Sequence, residues 1–144
     1  MLIPLLFSIE RSCPNAGVSI YWEDVENNTK SIINKSFPRF DFTNTNFNFT
    51  KDITKRISCK TIAWEYAANN QKNSNEWLLF IDADMLVTKD PLPLLNRIDA
   101  DVVITHRNES SFLINSGVVA CKNKKNIQRF FTSWREETQR VLDS

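Results

Sequence analysis

Asp82 and Asp84 flank a single alanine directly behind the unbroken apolar run Trp-Leu-Leu-Phe-Ile at 77–81. Side chains two apart on an extended backbone point to the same side, so both carboxylates can reach one hard divalent ion, directly or through its waters. Such an ion takes oxygen ligands and readily bridges phosphate oxygens, which makes a nucleotide diphosphate its natural partner. There it would neutralise charge on a departing diphosphate as a Lewis acid. The bland alternative is a solvated turn that closes a buried strand, since two acids around one alanine also arise by chance.

Composition removes several other chemistries. The 144 residues include two glycines, Gly17 and Gly117, too far apart for a dinucleotide-type or Walker-type phosphate loop or for a nucleophile elbow. His106 is the one histidine, which excludes a two-histidine zinc helix. It follows a strand end and reads as an ordinary loop histidine, with contact to substrate as the sharper alternative. Cys13, Cys59 and Cys121 have no paired spacing and are odd in number, so buried reduced thiols are expected rather than a zinc ribbon or a disulfide framework. With 18 Lys and Arg against 17 Asp and Glu, the net charge of +1 carries no clustered basic excess, and nucleic acid is not an expected partner.

No apolar run approaches the roughly 18 residues of a membrane span, so a soluble chain without a membrane span is expected. The apolar start at 1–8 lacks a basic leader and a small-residue cleavage site. Glycosylation sequons at Asn27, Asn34, Asn48 and Asn108 leave the compartment open between the cytoplasm, for a prokaryotic or viral chain, and the Golgi lumen, for a eukaryotic one.

The elements that must hold the acidic pair are legible in outline. Leu2, Leu5, Leu6, Ile9 and Cys13 follow helical spacing and predict a helix over 2–13, with Pro4 tolerated in its first turn. Residues 18–22 alternate as a short strand. The stretch 25–50, rich in Asn and Thr around Phe37, Phe40, Phe42, Phe47 and Phe49, is expected as short strands or loops whose aromatics cover the core. Asp52 can cap a helix with Ile53, Ile57, Trp64, Ala67 and Ala68 on its apolar face, ending in the polar cluster 69–75.

The run 77–81 then reads as a strand buried on both faces, followed by a helical turn at 92–98 and a second buried strand at 102–104. A third apolar stretch, 112–121, is interrupted by Asn115, Ser116 and Gly117, and Ile127, Phe130, Phe131, Trp134, Val141 and Leu142 form one face of a closing helix. Helices alternating with buried strands predict one α/β domain with a largely parallel sheet. Asp82 and Asp84 then sit at the carboxyl edge of their strand, where ligands of open α/β sheets collect. The echo of Ile-Asp-Ala-Asp at 98–101 precedes its strand, so Asp99 and Asp101 fall at the opposite edge and read as turn and capping residues, as does Asp90 before Pro91.

Taken together, the segment 77–95, the strand 100–104, the Ile-Asn-Ser-Gly-Val-Val run at 114–119 and the helix carrying Phe131 and Trp134 resemble nucleotide-diphospho-sugar transferases of the GT-A fold. The nearest likeness is to glycosyltransferase family 77, then family 8, the glycogenin kind, over roughly residues 53–137. The resemblance implies a GT-A-like α/β/α sandwich with a mostly parallel sheet, incomplete at both ends, the first strand and the acceptor half lying outside the chain. It implies transfer of a sugar from a nucleotide-diphosphate sugar donor to an acceptor hydroxyl on a glycan, protein or lipid-linked molecule, with retained configuration.

By the same resemblance, Asp82 and Asp84 match the DxD motif that holds manganese or magnesium and the donor's ribose and diphosphate. Asn115, Ser116 and Gly117 match the segment lining the donor-sugar pocket, where glycine admits close backbone approach. Lys60 matches a basic position near the donor, against its reading as a solvated helix lysine. No catalytic residue is assigned. A catalytically inactive remnant or interaction module that keeps the fold is the first alternative. The second is a phosphatase of the haloacid dehalogenase type, with Asp82 as nucleophile and Asp84 as general acid; Met85 and Leu86 stand where that motif continues Gly-Thr.

Overall fold

A computed structural model describes residues 2–47, 60–70, 76–106, 108, 114–122 and 124–143, and of Ile114, Asn115 and Lys124 the backbone alone. Asp52, Cys59, Phe49, Phe112 and the expected helix start at 53 lie outside the described residues. The chain divides into two compact units, one formed by Met1–Asn48 with Ala83–Asp90, the other by Phe49–Asp82 with Pro91–Ser144.

In the first unit, α1 (Leu2–Ser12) buries Leu5, Leu6 and Ile9, the stripe that the spacing predicts. Strands β1 (Ser19–Trp22) and β2 (Asp41–Asn44) pair in parallel, Ser19 opposite Asp41 and Trp22 opposite Asn44. Parallel neighbours need a crossover rather than a tight turn. The crossover is α2 (Asn27–Ser36), which corrects the expectation of strands or loops throughout 25–50. This helix buries only Ile33, so its apolar residues show no stripe for periodicity to detect.

The phenylalanines do cover a core: Phe37 and Phe40 are buried and stack at 5.6 Å, Phe7 meets Phe37 edge-on at 4.9 Å, and Trp22 stacks on Phe42 at 4.8 Å. Trp22 Nε1 also donates to Asn44 Oδ1, tying the two strand ends together. The segment Ala83–Asp90 belongs to this unit because Val87 is gripped by α1: Ser12 Oγ donates to its carbonyl at 2.7 Å and its amide donates to Ser8 Oγ at 2.9 Å.

The second unit holds α3 (Lys60–Asn70), β3 (Leu78–Ile81), α4 (Leu92–Leu95), β4 (Val102–His106), β5 (Ile114–Cys121) and α5 (Lys124–Leu142). Its sheet runs β3-β5-β4 with both pairings antiparallel, which corrects the expected mostly parallel sheet. For β4 and β5 the cause is the short link between His106 and Ile114, which suits an antiparallel return and is well below the dozen or so residues of a parallel crossover. Because β5 opposes both neighbours, β3 and β4 still run the same way.

Register sets the core. Phe80, Val119 and Ile104 stand side by side, as do Leu78, Cys121 and Val102, so all six share one face. Against that face pack Trp64 and Ala68 of α3 and Ile127 and Phe131 of α5, with Phe130 and Trp134 at the margin. Trp64, Phe80, Phe130, Phe131 and Trp134 meet at ring separations of 5.1–6.2 Å. Full burial of side chains such as Ile127 and Phe131 contributes about 1.5–3 kcal/mol each.

Candidate functional site

The core face of β3 carries Leu78 and Phe80, and strand alternation puts Asp82 next on that side. Four helix residues advance about 6 Å and two strand residues about 6.6 Å, so a helix lying against a strand can match it position for position. That match occurs here. Trp64 packs on Phe80 at 5.7 Å, and one turn earlier on α3 Lys60 meets Asp82. The aromatic pair inside the core thus fixes the polar pair at its edge.

Lys60 Nζ lies 3.2 Å from Asp82 Oδ1 and 3.1 Å from Oδ2, and donates also to the Ser116 carbonyl at 3.3 Å. The ammonium stands 5.2 Å from the centre of the Trp64 ring, a cation–π separation. Both charged side chains are partly open, at 27% and 39% exposure, so the pair is neither sealed in the core nor freely solvated.

β5 supplies the other wall. Ile104 pairs with Val119 while Thr105 pairs with Asn115, leaving Ser116, Gly117 and Val118 as extra residues on β5 against β4. An irregularity of this kind bends a strand and re-aims its groups, and such features concentrate beside active sites. The Gly117 carbonyl accepts the Asp82 amide at 2.9 Å, extending the β3–β5 ladder one residue past Ile81. Asp82 is therefore fixed through its backbone by Gly117 and through its carboxylate by Lys60, while Ser116 is joined to the same lysine.

Lys60, Asp82, Ser116 and Gly117, four of the six residues singled out in the sequence, thus converge at one end of this sheet. Asn115 contributes its backbone pairing with Thr105. Asp84 is exposed and belongs to the segment counted with the first unit. Asp101 lies at the other end of the sheet, where its carbonyl accepts the Lys122 amide at 2.8 Å and its carboxylate accepts Asn126 Nδ2. It ties the entry of β4 to the start of α5 through the Asn126 side chain, at the end of the sheet expected for it. Asp99 is exposed. His106 ends β4 with Nδ1 3.1 Å from Asn108 Oδ1, a local loop pairing.

Every atom around the Lys60 ammonium at Asp82 and Ser116 is an oxygen, so hard donors already hold a cation there. That donor set fits magnesium or manganese better than a thiophilic ion. Among the described residues no group of three or more His, Cys, Asp and Glu is placed to hold a metal. One or two carboxylates completed by substrate phosphates and water is the way magnesium is usually held.

Burial pushes the Cys121 thiol up to about 12, and its Sγ donates to the Leu78 carbonyl. It is a packing residue rather than a nucleophile. The Cys13 thiol is also raised, first by burial and then by Asp90, with Arg39 opposing. Three residues that position this part of the chain were not singled out in the sequence for that role. Trp64 reads there only as core, yet it positions Lys60. Ser8 and Ser12 grip the segment that follows the acidic pair; two serines four apart on an apolar helix were the available signal.

The profile of the nucleotide-diphospho-sugar transferases matches residues 10–143. No curated protein and no solved structure matches the chain significantly. Among the described residues no helix is long and apolar enough to cross a membrane.

Proposed function

We propose metal-assisted glycosyl transfer for this chain, which belongs to the nucleotide-diphospho-sugar transferase family. The observation that carries the proposal is the convergence of Lys60, the Asp82 carboxylate and the Ser116 carbonyl at the carboxyl end of β3. The family profile spans residues of both units, and we read them as parts of one transferase domain of the GT-A kind.

In this reading Asp82 and Asp84, two apart in the chain, hold a manganese or magnesium ion together with the donor's diphosphate oxygens. When bound, the ion supplies Lewis-acid neutralisation of the departing nucleotide diphosphate. Asp82 reaches this task with its main chain already set by the bond from its amide to the Gly117 carbonyl, so the backbone needs little further ordering when donor and ion bind. Asn115, Ser116 and Gly117 line the donor-sugar pocket, and the missing Cβ of Gly117 lets backbone approach the sugar. The acceptor oxygen bonds to the anomeric carbon on the face from which the diphosphate departs, the bond to the diphosphate breaks and the hydroxyl proton passes to the departing phosphate oxygen, so that configuration is retained as in the families that the sequence resembles.

The test is binding and turnover of a panel of nucleotide sugars with Mn²⁺ present. Asp82→Asn and Asp84→Asn are expected to abolish both, and NMR of the transferred sugar to show the donor's anomeric configuration. Donor binding untouched by both substitutions would remove the proposal.

A further inference from the structure

Lys60 addresses both oxygens of Asp82 almost symmetrically, at 3.2 and 3.1 Å, and so stands on the axis of the carboxylate. A divalent ion held by this carboxylate approaches the same oxygens more closely, at about 2.0–2.6 Å. A doubly charged ion and an ammonium cannot both occupy the inner side of one carboxylate: they repel each other and compete for the same lone pairs. Resting on the reading of Asp82 as a metal ligand, we infer that Lys60 is an internal counter-cation of Asp82 that the divalent ion must displace.

The surroundings suit an exchange rather than a permanent pair. Lys60 has two further stations besides Asp82, the Ser116 carbonyl at 3.3 Å and the Trp64 ring face at 5.2 Å. When Asp82 turns to a metal, the ammonium keeps an acceptor and an aromatic face. The lysine thereby neutralises and orients the carboxylate while metal is away, at the cost of weaker metal binding. Lys60, Asp82, Ser116 and Trp64 all belong to the second unit.

A partly exposed ion pair has a worth that translates into a modest competition. Titration of Mn²⁺ alone into the full chain, followed by calorimetry, is expected to show Lys60→Met binding the metal about three- to five-fold more tightly than wild type. Lys60→Arg, which keeps a cation, is expected to stay within about twofold of wild type. A gain in affinity is something that structural damage does not produce.

A second measurement needs no variant. Amine acetylation mapped by mass spectrometry is expected to label Lys60 faster at saturating Mn²⁺, because the ammonium has left its carboxylate. Equal or weaker metal binding in Lys60→Met, or labelling of Lys60 indifferent to Mn²⁺, overturns the inference while leaving Asp82 as a ligand. Mn²⁺ binding unchanged in Asp82→Asn, or absent from both wild type and Lys60→Met, overturns the metal-ligand reading and the inference with it.

Discussion

Cys121 shows how strongly position decides the chemistry of a single side chain. It is fully buried, its neighbours across the sheet are Leu78 and Val102, and burial raises its thiol to about 12. In the unfolded chain the same thiol ionises near its ordinary value of 9.0. Below that pH both states keep the proton and the group contributes nothing to pH dependence. Between the two values the unfolded state releases its proton and the folded state does not, so stability falls with rising pH, by about 1.4 kcal/mol per pH unit at most. Denaturant midpoints of wild type and Cys121→Ala measured from pH 8 to 11 are expected to diverge in slope, the alanine variant losing less stability in alkali. Iodoacetamide at pH 8 is expected to leave Cys121 unmodified until the protein unfolds, as checked by mass spectrometry. At this scale the sequence was informative about Asp82 and less so about its partner: an acid at the end of an apolar run announces itself, whereas Lys60 is singled out by the family resemblance alone, and its pairing with Asp82 emerges only once Trp64 is seen on Phe80.

Elements rather than residues explain what the sequence concealed. Among the described helices of the second unit α5 was the most legible, because Ile127, Phe131 and Trp134 lie on one face, and it meets the sheet together with Trp64 and Ala68 of α3 in one cluster. By contrast α2 buries a single residue, so its helical nature is carried by the parallel β1–β2 crossover that it must complete. Strand direction was equally hidden: the apolar runs of β3, β4 and β5 look alike in either orientation, and only the length of the links decides. Phe131→Ala empties the centre of the α3–α5–sheet cluster and is expected to cost about 3–5 kcal/mol in chemical denaturation, a large part of the stability of a chain this size. Glu65 binds α3 to α5 by accepting from Thr132 Oγ1 at 2.7 Å and from Arg135 Nε. Glu65→Ala leaves both donors unpaired, and a loss of about 1–2 kcal/mol is expected; a cost nearer zero would mean that water replaces the carboxylate fully.

For the whole molecule, ligand linkage offers the broadest check, because anything that binds only the folded chain stabilises it by mass action. Trp64, Trp77 and Trp134 belong to the second unit and Trp22 to the first, so intrinsic fluorescence reports chiefly on the unit that contains Asp82. With Mn²⁺ and a cognate nucleotide sugar at a free concentration of 100 times Kd, the stabilisation is about 2.7 kcal/mol. For a chain of this length that corresponds to a rise in Tm of roughly 5–10 °C. Removal of the metal with EDTA is expected to reverse the rise, and Asp82→Asn to abolish it even though its own Tm in the absence of ligand changes little, since the pair with Lys60 is half open and contributes about 1 kcal/mol or less. A nucleotide sugar that raises Tm equally with and without metal, or equally in Asp82→Asn, would locate donor binding elsewhere than at the end of β3.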